Sequence, residues 1–187
     1  SQHIARKALW AARNWPENLR LSINVTPEDL AFESYTSQML DLVGESGFPL
    51  RQLTLEITEQ SLIADVTAAA QIMAEFSAQG IRIALDDFGA GFCNFRYLKV
   101  LPIHYIKLDR AMIEGITTDP RDVAILRAIV AMATALDLEV IAEGIERADQ
   151  RDAVAREHCG YYQGFLRAQP MSVALFEKLA RTEMERA

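Results

Sequence analysis

The chain has 187 residues, half of them hydrophobic, with 19 Lys and Arg against 26 Asp and Glu, a net charge of -7. That length supports one sizeable core, and the acidic balance excludes a nucleic-acid groove, which needs a basic footprint. The apolar runs are too short to span a bilayer, the N-terminus does not read as a signal peptide, and Cys93 and Cys159 read as free thiols of a reducing compartment.

In chain order, residues 2–15 have the periodicity of an amphipathic helix, with Ile4, Ala8, Leu9 and Ala12 on one side and a stop near Pro16. Leu21-Ser22-Ile23-Asn24-Val25-Thr26 alternates with period two and reads as a strand. A second helix spans 34–46, with Met39, Leu40, Leu42 and Val43 apolar and Gly47 as its stop. Leu53-Thr54-Leu55-Glu56-Ile57-Thr58-Glu59 is a second strand, with Glu56 opposite the aliphatics. A helix over 65–79 takes Asp65 as N-cap and ends at Gly80.

Next comes the apolar run Ile81-Arg82-Ile83-Ala84-Leu85, followed by Asp86-Asp87-Phe88-Gly89-Ala90-Gly91. Adjacent carboxylates repel each other and are costly to enclose without a cation, while glycines let a ligand approach the backbone. A solvated turn with an Asp helix cap is the plainer reading of these six residues. Tyr105-Ile106-Lys107-Leu108-Asp109 is a fourth strand. Asp119-Pro120 opens the longest helical pattern, over 119–136. Leu138-Glu139-Val140-Ile141-Ala142-Glu143-Gly144 is a fifth strand, 149–157 and 172–186 are helical, and Gly160–Leu166 holds a weaker sixth strand.

Five strands thus each carry a polar group near the C-terminal end, opposite the main aliphatic row. In a closed parallel barrel the aliphatics pack outward on helices, and inward groups at the C-terminal strand ends form the active site. A complete eight-stranded barrel takes roughly 250 residues; six strands leave either a barrel about two strands short or an open α/β sheet. No linker or repeat divides the chain, so residues 1–187 read as one domain of βα units.

The ordered set Ser22-Ile23-Asn24-Val25-Thr26, Glu56-Ile57-Thr58-Glu59, Asp86-Asp87-Phe88-Gly89-Ala90-Gly91, Lys107-Leu108-Asp109, Glu143-Gly144-Ile145-Glu146 and Gln163-Gly164-Phe165 with Pro170 resembles the EAL domain, the bacterial phosphodiesterase that hydrolyses cyclic di-GMP. The resemblance implies a modified eight-stranded TIM-like barrel, here an N-terminally truncated EAL-type domain. The Glu-Ala-Leu strand, whose glutamate the resemblance makes a ligand of the first metal, is expected before residue 1, so this chain alone is expected to be weakly active or inactive. It further implies Asn24, Glu56 and Asp86 as ligands of one metal, with Asp86 bridging to a second that Asp87 and Glu143 share. Lys107 resembles the lysine holding the attacking water, with Glu143 as its general base. Glu59 resembles a carboxylate anchoring the loop after the paired aspartates, and Asp109, Glu146 and Gln163 resemble residues lining metal and phosphate. Oxygen ligands of this kind suit Mg2+ or Mn2+, in a pair of ions. The implied setting is cytoplasmic second-messenger signalling, as a homodimer, with sensor or GGDEF domains upstream and no DNA partner or membrane insertion.

This chain departs from the family's pattern at Ala90, Phe92, Cys93, Asn94 and Phe95, in the loop linking site and dimer surface, and at His104 and His158. Taken without the resemblance, Lys107 is a barrel lysine paired with Asp109 or Asp87, and Glu59 and Glu146 tie loops. His3, His104 and His158 are structural or exposed, and Met39, Met73, Met132 and Met171 are core filler. Trp10 and Trp15 pack on the first helix, and Tyr161 and Tyr162 are candidates to border a guanine. Two functions compete: a metal-dependent phosphodiesterase giving linear pGpG, and a catalytically inactive module that binds cyclic di-GMP or a protein. A different carboxylate-rich barrel enzyme, forming an enolate with Lys107, is a weaker third.

Overall fold

The computed structural model describes residues 2–32, 34–63, 66–90 and 95–184. Its spine is a six-stranded sheet: β1 (Leu21–Val25), β2 (Leu53–Thr58), β3 (Arg82–Phe88), β4 (Tyr105–Leu108), β5 (Glu139–Ala142) and β6 (Tyr161–Tyr162). The strands lie in sequence order and every neighbouring pair is parallel. Parallel strands need crossovers, and helices supply them. α1 (Gln2–Ala12) precedes β1, and α2 (Pro27–Leu30) and α3 (Tyr35–Ser46) follow it. α4 (Glu59–Ile63) and α5 (Val66–Ala78) follow β2, and α6 (Phe95–Val100) follows β3. α7 (Arg110–Ile113) and α8 (Pro120–Ala135) follow β4, α9 (Ala148–Arg156) follows β5, and α10 (Val173–Met184) follows β6. Among the described residues β1 and β6 each pair on one side, so the sheet is a partial TIM-like barrel.

The aliphatic rows behave as their alternation requires. Leu53, Leu55, Ile57, Ile83, Leu85, Ile106, Leu108, Val140 and Ala142 are all buried. On the central strands the opposite row is buried as well, at Thr54, Ala84, Tyr105 and Lys107, as expected where both faces are covered. On β1 that row is exposed, at Ser22 and Asn24. Asp119 caps α8 by accepting from the Arg121 backbone N–H, with Pro120 in the first turn. α3 stops at Gly47.

Several boundaries differ from the sequence reading. α1 ends at Ala12, because Pro16 disfavours helical geometry for the residue before it; Trp15 therefore lies in the following loop, against Phe176 of α10. The buried face of α1 is Ala5, Leu9 and Ala12, spaced four and three apart, while Ile4 is exposed. β6 is two residues long. Its continuation turns across Ile145, whose N–H donates to the Gln163 carbonyl and whose carbonyl accepts from Leu166 N–H. Gly164 sits there at φ +153°, so close that a Cβ would meet the Ile145 backbone at 2.2 Å. Met39 and Met73 are core residues, but Met132 is half-buried and Met171 is exposed on the approach to α10. The Asp65 cap, and Gly91, Phe92, Cys93 and Asn94 of the loop, lie outside the described residues.

Four short helices escaped the periodicity argument because four to six residues complete too few turns to show a face. α2 nevertheless carries a signal. Thr26 accepts from Asp29 N–H, Asp29 accepts from Thr26 N–H, and Pro27 opens the first turn. At the other end of α9, His158 takes φ +62°. Only glycine adopts that geometry without cost, so His158 carries local backbone strain.

Candidate active site

Regular strand geometry would send Asp86 and Asp87 to opposite faces. The β3–β4 register shifts between Leu85 and Phe88, and Asp87 adopts φ +54°. Such a bulge re-aims side chains. As a result one carboxylate oxygen each from Asp86, Asp87 and Glu143 lie within 4.8 Å of one another. Asp87 precedes the strand's last residue, Phe88, so the strand outlasts the carboxylate pair.

Lys107 enters from β4 beneath this cluster. Its Nζ lies 2.7 Å from Glu56 Oε2, 2.8 Å from Asp86 Oδ1 and 2.7 Å from Glu143 Oε1. The expected partners Asp109 and Asp87 are replaced by these three, because the inward row of the sheet points Lys107 between β2, β3 and the end of β5. An ammonium has three donors, and all three are used. Burial alone lowers the lysine pKa, but the bonds from Asp86, Glu143 and Glu56 outweigh it and the net shift is upward, so Lys107 is charged at neutral pH.

Glu143 titrates above its ordinary range. Burial is the main cause, opposed by Lys107 and reinforced by the charges of Asp86 and Glu56. Asp87 is also raised, by burial, then by Asp86 and Asp109, against a lowering by Lys107. Four carboxylates therefore face one ammonium. Two unit charges about 4–5 Å apart repel by on the order of 4 kcal/mol at an effective dielectric near 20, and one lysine cannot offset every pair. The donor set, carboxylate oxygens at the rigid ends of strands, fits a hard divalent cation.

The remaining predicted residues sit around this centre. Asn24 pairs in register with Glu56 on the neighbouring strand but is exposed on β1, outside the three-carboxylate group. Glu59 is buried at the first position of α4, where Thr58 accepts from Ser61 N–H. Asp109 caps α7 by accepting from Ala111 N–H at 2.8 Å. Gln163 Nε2 donates to Glu143 Oε1 at 2.8 Å, and Glu146 pairs with Arg110 at 2.8 Å. Asp109, Glu143, Glu146 and Gln163 open onto a cleft of about 1010 Å³, also lined by Trp15 and by Phe176 of α10. Tyr161 is elsewhere. Its ring packs edge-on against Tyr105 at the N-terminal end of the sheet, and neither it nor Tyr162 lines the cleft. His104 is structural, as expected: its Nδ1 accepts from Ile83 N–H at 3.1 Å. Arg110 was not singled out from sequence, and Gly144 entered only as part of the Glu143-Gly144-Ile145-Glu146 motif. The adjacency of Arg110 to Asp109 was the one available signal.

A parallel βα barrel with a lysine among carboxylates at its C-terminal strand ends defines a class of barrel enzyme sites. The EAL domain family model matches residues 1–170, and the chain belongs to the EAL domain family. A cyclic di-GMP phosphodiesterase of Pseudomonas aeruginosa is 38% identical over 168 residues, which is 90% of this chain and 28% of that protein. The chain spans about a quarter of the length of the curated relatives it matches first. The cyclic di-GMP complex of the Pseudomonas aeruginosa MucR phosphodiesterase superposes with a TM-score of 0.87 at 30% identity, covering 94% of this chain and 72% of that one. A manganese and cyclic di-GMP complex of Klebsiella pneumoniae BlrP1 is 25% identical, with a TM-score of 0.78 over 86% of this chain and 42% of that one. The fold is that of the EAL domain family, and one solved structure it resembles holds manganese together with cyclic di-GMP.

Proposed function

We propose that this domain is a metal-dependent phosphodiesterase that hydrolyses cyclic di-GMP to linear pGpG. The observation that carries this is the convergence of Asp86, Asp87 and Glu143 above a fully engaged Lys107. Asn24, Glu56, Asp86, Asp87 and Glu143 would hold Mg2+ or Mn2+, in a pair of ions. Bound there, the metal supplies Lewis-acid stabilisation of charge on the phosphate and its leaving oxygen.

The protein's own groups do the rest. Lys107 is fixed by three carboxylates and presents positive charge where a nucleophilic water would sit. Glu143, raised in pKa and held in orientation by Gln163, is suited to accept that water's proton. Water oxygen bonds to phosphorus, one P–O ester bond breaks, and the released ribose oxygen is protonated. Glu59 and Asp109 brace the flanking loops.

Incubation with cyclic di-GMP across a Mg2+ and Mn2+ series tests this directly, with pGpG as the expected product, slow or absent from residues 1–187 alone and faster once the Glu-Ala-Leu strand is included. Binding without product at any metal concentration would instead support a receptor. One observation favours that second reading: Lys107 Nζ already satisfies Glu56, Asp86 and Glu143, and so competes with a cation for the same oxygens. The proposal extends to residues 1–187 as one domain, N-terminally truncated, of a longer cytoplasmic signalling protein that dimerises through this domain and carries sensor or GGDEF segments. The greater length of its relatives supports that setting. No described helix is long and apolar enough to cross a membrane.

A further inference from the structure

The cleft that receives an anionic dinucleotide is itself acidic. Asp109, Glu143, Glu146 and Glu183 line it, with two arginines, Arg110 and Arg167. Arg167 is held by Glu183 of α10. Arg110 stands next to the carboxylate centre, one residue after Asp109 and in contact with the segment that follows Glu143.

Its position depends on Gly144. That residue has φ +69°, and a Cβ there would meet Arg110 Cγ at 2.6 Å and Cβ at 2.8 Å. The arginine stem therefore lies flat across the β5 exit, and its guanidinium reaches Glu146 at 2.8 Å. Both partners are substantially exposed, at 59% and 39% of their side-chain surface. An exposed ion pair of this kind contributes little. A guanidinium fork on a phosphate, with two parallel charge-assisted hydrogen bonds, is stronger and geometrically selective.

Resting on the phosphodiesterase reading, we infer that Arg110 is a substrate-positioning residue that exchanges Glu146 for the non-bridging oxygens of a substrate phosphate. Glu146 is its resting partner, and the bare Cα of Gly144 is the track along which the side chain lies. Arg110 then offsets the cleft's own negative charge at the point of entry, beside the centre where the phosphodiester is cleaved.

The test uses the whole chain, with cyclic di-GMP as the probe. Arg110→Gln is expected to raise KM, and Kd measured with Ca2+, by about 10- to 100-fold, the scale for a lost hydrogen bond to a charged group. kcat and Mn2+ affinity should stay within about threefold. Arg110→Lys should recover part of the loss, and Gly144→Ala, which leaves every charge in place but displaces the arginine, should raise KM in the same direction. A purely structural role would lower the melting temperature of Arg110→Gln and leave KM unmoved. KM and Kd within twofold of wild type in Arg110→Gln would overturn the inference while leaving the phosphodiesterase reading intact. Binding without turnover by a wild-type chain that includes the Glu-Ala-Leu strand would sink that reading, and the Kd comparison would still decide the role of Arg110. A wild type that neither binds nor turns over would sink both.

Discussion

The two ends of the sheet carry two polar layers built from the same residue types, and they solve opposite problems. At the C-terminal end, Lys107 is 4% exposed and its partners Glu56, Asp86 and Glu143 are 12–17% exposed, with Asp87 adding a fourth carboxylate nearby. At the N-terminal end, Arg82 donates to the Tyr105 hydroxyl at 2.6 Å, lies 5.4 Å above its ring, and faces Glu139 at 3.5 Å. There Arg82 and Glu139 are 35% and 43% exposed, one charge against one. Tyr161 bonds the same glutamate, which holds its phenol above the ordinary range. The lower layer is balanced and water-screened, so it behaves as structure. The upper layer, buried at Lys107 and opening to solvent at Asp87, is overloaded with negative charge, so it gains by binding a cation. Charge imbalance around a buried lysine distinguishes a candidate site from a polar patch.

The largest effect should follow Lys107→Met. Removing one partner from a buried charge network costs about 3–5 kcal/mol, and three carboxylates would be left facing each other. The variant should unfold at lower denaturant in chelator, regain stability with Mg2+ or Mn2+, and lose turnover by about 10²–10⁴-fold, the range of proton-transfer catalysis. Denaturation with and without metal checks this. A Lys107→Met protein as stable as wild type in chelator would end the contrast between the two layers.

Asp86→Asn should come next, and should exceed Glu59→Gln. Asp86 belongs to both the three-carboxylate group and the lysine network, whereas Glu59 lies on the flanking α4. Calorimetry with Mn2+ should show Glu59→Gln weakening binding by about 10–100-fold, the scale of groups that orient ligands, and Asp86→Asn by more. Equal, small changes from both would mean that these carboxylates do not form the metal site.

In the lower layer, Arg82→Met should cost only about 1 kcal/mol, the sum of a half-exposed ion pair and a cation–π contact. Melting should shift by about 2–4 °C, with Mn2+ affinity unchanged. A change in metal affinity would show that the two layers are coupled through β4.

The smallest effect is on pH dependence. His104 is held below the ordinary imidazole value, first by burial and then by Arg82. Arg82 of β3 is the charged group that acts on it. The unfolded chain takes up a proton near about pH 6.5 while the native state resists, so stability falls as pH drops below that value. His104→Asn keeps an acceptor for Ile83 N–H without a titrating group, and should flatten the slope below about pH 6.5. Urea midpoints across that range measure it; an unchanged slope would remove His104 as the cause.

Much of this was legible in the residue order. Period-two alternation fixed five strands and the outward direction of their aliphatic rows, because side-chain direction on a strand depends on parity alone. The Asp119-Pro120 cap and the Gly47 stop set helix ends by local chemistry. Six ordered motifs sufficed for the family. Other features were decided by tertiary structure. Asp86 and Asp87 act together only because a register shift against β4 and a positive φ at Asp87 override parity. Lys107 met Glu56, Asp86 and Glu143, rather than Asp109 or Asp87, because residues 51 and 36 positions away in sequence are brought to one inward layer by the sheet. Arg110 gained its place from the missing side chain of Gly144, one strand later in the chain. Local pattern sets which way a residue points; only the closed arrangement of neighbours sets what it meets, and charge matters through what it meets.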